Sequence, residues 1–264
     1  MINFEIIKKF TNDALVEEYP FPHIIHNDFL PHEIVKQAEI EFIKFTDLEN
    51  SGAYRYGNLK RHFSNFEKMP ITIKSIISLC YSDQFISFLE KKFKISNIVP
   101  DWSLWGGGMH SSPRGGNLKI HSDFIFLRKK NTRRVLNLLL YLNSNWKNEW
   151  GGHIELWNKN MSKKEKQLSP NINNLLIFRT DKDSNHGFPD GILCPDGITR
   201  KSIALYYYVE ENYILPIKVK MRKYYTTQWK HRPGTDDPQF MDEERSLWRK
   251  IKYKYLPSFI VRKK

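Results

Sequence analysis

Five short hydrophobic runs occupy the middle of the chain: Leu118 to Phe126, Val135 to Leu142, His153 to Trp157, Leu175 to Thr180 and Lys201 to Val209, separated by stretches rich in Asn, Gly, Lys and Pro. Runs this short, punctuated by turn residues, read as β-strands. Their regular recurrence argues for a sandwich, barrel or jelly roll and against an alternating α/β sheet. On each strand successive side chains point to opposite faces, so every second residue faces the interior.

Within that frame one set of polar residues stands out: His121-Ser122-Asp123, His186 and Arg200-Lys201-Ser202. Two imidazoles and a carboxylate are the set that holds non-haem Fe(II) on one face and leaves the opposite coordination positions open. In His-x-Asp the two side chains point the same way on an extended strand, and His186 must be brought alongside from a distant strand or loop. Arg200 opens the run that ends at Val209, and alternation puts Arg200, Ser202, Ala204 and Tyr206 on one face. A guanidinium fork there suits a small dicarboxylate, and Ser202 adds a hydroxyl to the same carboxylate. An arginine buried without a counter-ion is costly, so a ligand carboxylate would supply the missing partner. Asn137, Leu139 and Tyr141 share one face of the central strand, and Asn137 and Tyr141 are candidates to contact the co-substrate, with plain core packing as the alternative. A bare His-x-Asp arises by chance, and Arg200 alone reads equally as a surface cation; the ordered set is the stronger signal. His153, in Gly-Gly-His-Ile-Glu-Leu-Trp, competes with His186 as third ligand. His23, His26, His32, His62, His110 and His231 are read as structural, Trp157 and Phe178 as core, and Tyr54 and Arg55 as residues approaching a substrate.

Taken in order, HSDF, RRVLNLLLYLNSNWKNEWGGHIELW, PNINNLLIFRT, HGFPDGI and GITRKSIALYYYV resemble the Fe(II)/2-oxoglutarate-dependent oxygenases, in particular the prolyl 4-hydroxylase-like branch. The likeness spans about Gly115 to Val209, and YPFPHIIHNDFLPHEIV looks like that branch's entry segment. It implies a mainly β fold, a double-stranded β-helix (a distorted, cupin-like jelly roll) with N-terminal supporting helices. It implies catalytic Fe(II) on His121, Asp123 and His186, with 2-oxoglutarate on Arg200 and Ser202, O₂ as oxidant and ascorbate as an optional addition. The family pattern puts the Gly-Gly strand in the inner sheet without a ligand, which favours His186 over His153. Related halogenases carry Ala or Gly where this chain has Asp123, so the resemblance implies hydroxylation of an unactivated C–H, with release of succinate and CO₂. The substrate stays open between a prolyl or other residue of a protein and a small metabolite. An oxygenase acting on nucleic acid is the less favoured alternative, because the second arginine expected after the anchor is replaced by Lys201-Ser202-Ile203. A non-catalytic β-helix domain that binds a ligand or partner is the rival from another class, and the intact metal set speaks against it.

The remaining chain is consistent with a folded protein: 264 residues, 40% hydrophobic and 14% aromatic. Two distant cysteines, Cys80 and Cys194, suggest neither a disulfide framework nor a zinc site. With no signal-peptide pattern and no apolar run of transmembrane length, a cytoplasmic protein is the expectation. Apolar spacing predicts a helix from about Leu30 to Phe45 and two more between Pro70 and Ile95, broken near Ser82-Asp83. Ser51 to Met69 is expected to be loop with one strand, and the glycines of Ser112 to Asn117 a tight connection rather than a phosphate loop. The expected organisation is an oxygenase domain over 1–211, helical over 1–97 and β over 98–211, followed by a basic extension over 212–264. That extension carries fourteen Lys/Arg against five Asp/Glu, most of the net charge of +13. It includes a predicted amphipathic helix from Asp242 to Tyr255 and is read as a solvated surface or a dock for an acidic partner.

Overall fold

In chain order the elements are α1 (Lys8–Asp13), β1 (His23–His26), α2 (His32–Lys44), β2 (Glu49–Asn50), β3 (Arg61–Phe63), α3 (Ile71–Cys80), α4 (Asp83–Phe93), β4 (Ile98–Pro100), β5 (Gly108–Pro113), β6 (Leu118–Ser122), β7 (Phe126–Leu127), β8 (Thr132–Tyr141), β9 (Ile154–Trp157), β10 (Lys164–Leu168), β11 (Leu175–Arg179), β12 (Asn185–Phe188), β13 (Thr199–Glu210) and β14 (Gln228–Trp229). The computed structural model describes residues 2–50, 59–127, 132–210, 226–235 and 237. Tyr54, Arg55 and the helix predicted over 242–255 lie outside them. Among the described residues no helix is long and apolar enough to cross a membrane.

The strands form two antiparallel sheets, the double-stranded β-helix that the resemblance implies. The larger runs β1-β11-β8-β13-β5-β3-β2, with β4 on β13 and β7 on β8; the smaller runs β10-β9-β12-β6-β14. One face of the larger sheet meets the helices. Leu136, Leu138 and Leu140 of β8, Ile203, Leu205 and Tyr207 of β13, and Leu175 and Ile177 of β11 pack there against Val35, Ala38 and Phe42 of α2 and Ile73, Ile76, Ile77 and Cys80 of α3. Each such aliphatic side chain contributes about 1.5–3 kcal/mol by leaving water. The alternate residues face the smaller sheet, where Tyr141, Leu176 and Phe178 meet Ile154 and Leu156.

Local signals explain most boundaries. Ser82 caps α4 by accepting from the Phe85 amide, and Lys94 ends it in the left-handed conformation at φ 54°. The N-terminal part is less purely helical than expected, since β1 joins the larger sheet through β11; β3, a strand within the Ser51 to Met69 stretch where one was expected, joins it through β5. The run predicted as Leu118 to Phe126 is a strand to Ser122 and again from Phe126, which leaves Asp123 just beyond the end of β6. β5 escaped the periodicity reading because its sequence, GMHSSP, is mostly small and polar. Gly108 is required there: a Cβ would stand 2.3 Å from the Phe63 carbonyl oxygen, and φ is +88°.

Candidate active site

β12 pairs with β6 so that His186 stands directly across from His121, with ring centroids 4.5 Å apart. Gly187 makes this approach feasible, because a Cβ there would lie 2.6 Å from the Leu118 carbonyl oxygen and 2.9 Å from that of Lys119. His121 Nδ1 lies 2.8 Å from the Lys119 carbonyl oxygen, and His186 Nδ1 lies 2.9 Å from that of Ser184. A carbonyl can only accept, so each Nδ1 carries the donated proton, which fixes both rings and leaves both Nε2 atoms toward Asp123. His121 Nε2 is 3.4 Å from Asp123 Oδ1, and His186 Nε2 is 3.7 Å from Oδ2. One donor atom from each of the three residues lies within 4.8 Å of the other two.

Burial, reinforced by His121, pulls the His186 imidazole down to about 4, so it is neutral near pH 7. Burial opposes ionisation of Asp123, yet the Arg134 guanidinium together with His121 and His186 outweighs it and holds the carboxyl well below its usual range. Nitrogen lone pairs facing an ionised carboxylate repel unless a cation sits among them. The donor set therefore fits a divalent transition metal.

Arg134 is a member of the site that sequence reading missed. Its Nη1 lies 3.5 Å from Asp123 Oδ2, and its Nε donates to Asn137 Oδ1 at 2.7 Å. Asn137 in turn donates from Nδ2 to Asp123 Oδ2 at 2.7 Å. The guanidinium carbon sits 3.4 Å from the centre of the Tyr206 ring and 4.9 Å from that of Phe124. Strict alternation from Asn137, Leu139 and Tyr141 would aim Arg134 at the helices. Instead the register slips, with Tyr207 opposite Leu136 but Tyr208 opposite Arg134, so Val135 is the extra residue of a β-bulge. Val135 and Leu136 both enter the helix-side core, and Arg134 returns to the site.

Arg200 is 5% exposed. Its Nε donates to the Gly152 carbonyl oxygen at 2.6 Å and its Nη2 to the Tyr141 hydroxyl at 3.0 Å. Its guanidinium carbon lies 4.2 Å from the centre of the Phe188 ring and 4.8 Å from that of Tyr141. Among the described residues no carboxylate is paired with it, and burial lowers its affinity for the proton despite the help of Tyr141. Gly152, at φ +69°, gives the side chain room, since a Cβ there would stand 3.2 Å from Arg200 Cδ. A buried cation held by a carbonyl, a phenol and two ring faces fits a ligand carboxylate as its missing partner.

A single cavity of about 230 Å³ joins Arg200 and Ser202 to His121, Asp123 and His186. Tyr141 bonds to Arg200, whereas Asn137 reaches the carboxylate of Asp123. His153 lies outside the cavity lining and is bonded to Gln167. Phe178 is fully buried and also walls the cavity, 4.5 Å from His186 between ring centroids. Trp157 donates its indole N–H to Glu155 at 2.8 Å. Lys60, His110, Thr227 and Trp229 also line the cavity without having been singled out in the sequence for that role. Burial holds the His110 imidazole well below its usual value and pulls the Lys60 ammonium down to about 8. Neither Lys60 nor His110 lies in a hydrophobic run, so no pattern marked them.

Residues 107–208, the stretch with every converging residue except the late Thr227 and Trp229 and the early Lys60, match the family model of the 2OG-Fe(II) oxygenase superfamily. No curated protein matches the chain. Among solved structures, a prolyl-4-hydroxylase from Pseudomonas putida superposes with a TM-score of 0.51 at 16% identity, over 72% of this chain and 92% of that one. A prolyl hydroxylase from Trichoplax adhaerens, solved in complex with a hypoxia inducible factor peptide fragment, gives a TM-score of 0.52 at 20% identity, over 78% of this chain and 89% of that one. At these identities the structures speak for the fold alone, that of the prolyl hydroxylases, and the match over residues 107–208 speaks for the chemistry of the β core, that of an Fe(II)- and 2-oxoglutarate-dependent dioxygenase.

Proposed function

We propose that His121, Asp123 and His186 hold the iron, that Arg200 with Ser202 and Tyr141 receives the far carboxylate of 2-oxoglutarate, and that the enzyme hydroxylates an unactivated C–H of a prolyl or other protein residue, or of a small metabolite. One observation carries the reading: three donor atoms within 4.8 Å of one another share a cavity with a buried arginine that lacks a carboxylate partner among the described residues. Bound iron with 2-oxoglutarate and O₂ supplies the oxidising chemistry, in which the co-substrate leaves as succinate and CO₂ and C–H becomes C–OH.

The chain's own residues do the positioning. The Nδ1 bonds of His121 and His186 aim both lone pairs. Asn137 and Arg134 both engage Oδ2 of Asp123, which leaves Oδ1 for coordination. Burial keeps the Tyr141 phenol protonated against the pull of Arg200. The phenol oxygen accepts from Arg200 and retains its own proton to donate to a carboxylate. Leu139, Phe178 and Phe188 give the cavity apolar walls that suit an aliphatic carbon. The prolyl alternative draws support from the fold shared with two prolyl hydroxylases.

The test is succinate release from 2-oxoglutarate with Fe(II) and ascorbate, followed by a screen of peptides and metabolites for stimulation. His121→Ala should abolish release. Undiminished release in that variant would remove His121 from the metal set.

A further inference from the structure

After β13 the chain returns to the metal strand. β14 pairs antiparallel with β6, with Gln228 opposite Ser122 and Trp229 opposite His121, and the Lys230 amide donates to the Ile120 carbonyl oxygen at 2.7 Å. Across the sheet this puts His186, His121 and Trp229 in one row. The Trp229 ring lies 5.1 Å from that of His121, on the flank of β6 away from His186. Without β14, β6 would be the open edge of its sheet and the His121 ring would lose its cover on that flank. Thr227 and Trp229, two residues apart and on the same side of the strand, both line the cavity.

A cluster of charges fastens this strand. Asp237, 6% exposed, receives Arg232 Nε at 2.6 Å and Arg232 Nη2 at 3.3 Å. Its Oδ1 lies 2.8 Å from Lys119 Nζ, at the base of the metal strand. Arg232 also reaches Asp190 beyond β12, at 3.0 Å. Lys119 is two residues before His121 and Asp190 four after His186, so the clasp grips both ligand-bearing strands.

We propose that Thr226–Thr235, fastened by Asp237, is a strap that completes the active site, with Trp229 as a positioning residue that holds the His121 imidazole at its ligating angle. The inference rests on the reading of His121 as a metal ligand. Strap docking and metal binding then stabilise each other, because each favours the same His121 orientation and linkage is reciprocal.

The experiment is Co(II) titration of the full chain, with Co(II) as the probe, followed by calorimetry and by hydrogen exchange at the Lys230 amide. Trp229→Ala should raise the Co(II) Kd by about tenfold or more, the scale seen when the support of a metal-ligating histidine is lost. Trp229→Phe should stay within a few-fold of wild type, because a ring still covers the imidazole. Asp237→Asn loosens the clasp without touching the cavity and should shift the Kd in the same direction, which keeps the test decisive if Trp229→Ala folds poorly. Co(II) should slow exchange at Lys230 in wild type. An unchanged Kd in both Trp229→Ala and Asp237→Asn, or exchange at Lys230 indifferent to Co(II), overturns the strap. His121→Ala separates the two failures: if it binds Co(II) like wild type, the ligand reading itself is wrong.

Discussion

Replacing Arg200 with Met gives two effects of opposite sign. In the ligand-free protein the guanidinium has a carbonyl, a phenol and two ring faces for company, and no carboxylate among the described residues. Exchanging buried ionic groups for apolar ones of similar volume is often neutral or stabilising by about 1–4 kcal/mol. Against this, the Gly152 carbonyl and the Tyr141 hydroxyl each lose a hydrogen bond of about 1 kcal/mol. Arg200→Met should therefore leave the melting temperature of the ligand-free protein unchanged or raise it by a few degrees. Binding of 2-oxoglutarate should suffer, since truncating one side of a buried charge pair costs about 2–5 kcal/mol, roughly 30-fold to several-thousand-fold in Kd. The assay is thermal unfolding with and without 2-oxoglutarate, using Zn(II) so that no turnover occurs. At a hundred times its Kd the ligand stabilises wild type by about 2.7 kcal/mol, which is about 5–10 °C for a chain of this size. With a hundredfold weaker Kd the same concentration gives the variant only about 0.4 kcal/mol. An Arg200→Met protein that keeps the full ligand-induced shift would refute the anchor, whatever its ligand-free stability.

Other outcomes follow from the same geometry. Gly187→Ala should push β12 away from β6, cost about 1–3 kcal/mol by overpacking and weaken Co(II) binding; wild-type affinity would show that the strands part without disturbing His186. Arg134→Met leaves the partly buried Asp123 with Asn137 and the two imidazoles but without its guanidinium, and should destabilise the protein by about 3–5 kcal/mol in urea unfolding, with much of the loss restored by saturating Co(II). A stability change under about 1 kcal/mol would place the value of the pair elsewhere. Burial works against the charge of Asp237, but Arg232 and Lys119 outweigh it and hold the carboxyl at about 2 rather than 3.8. A depressed pKa adds stability that is complete above the unfolded value and fades as pH falls toward the folded one. Strap docking, read as the emission difference between wild type and Trp229→Phe, should thus persist at pH 4 and weaken between about pH 4 and 2. Loss at higher pH, or an Asp237→Asn variant with the same profile, would exclude Asp237 as the fastener.

Much of this was legible in the sequence because it lay in alternation. Arg200, Ser202 and Tyr206 do share the cavity face, and the apolar residues between them do face the helices. His186 was expected alongside His121, although only the structure shows the two as cross-strand partners. Three things were hidden. Arg134 was lost to the bulge, which reverses the parity on which the reading depended. Lys60 and His110 sit in polar segments where hydrophobic pattern is silent. Trp229 lies far beyond the last core strand, in a stretch mixing aromatics with basic residues, and its pairing with β6 is a long-range contact that no local signal announces.

The extra residue in β8 also bears on how such a chain tolerates change. A strand with perfect two-residue rhythm is indifferent to a paired insertion, whereas here the count itself is information. Adding one further residue between Arg134 and Asn137, with the bulge otherwise kept, would swing the guanidinium of Arg134 into hydrocarbon and strip Asp123 of its counter-charge, with every chemically active group still in the sequence. Relatives of this enzyme could therefore keep every ligand and yet lose function through a change in length of one residue, which a comparison of motifs would overlook.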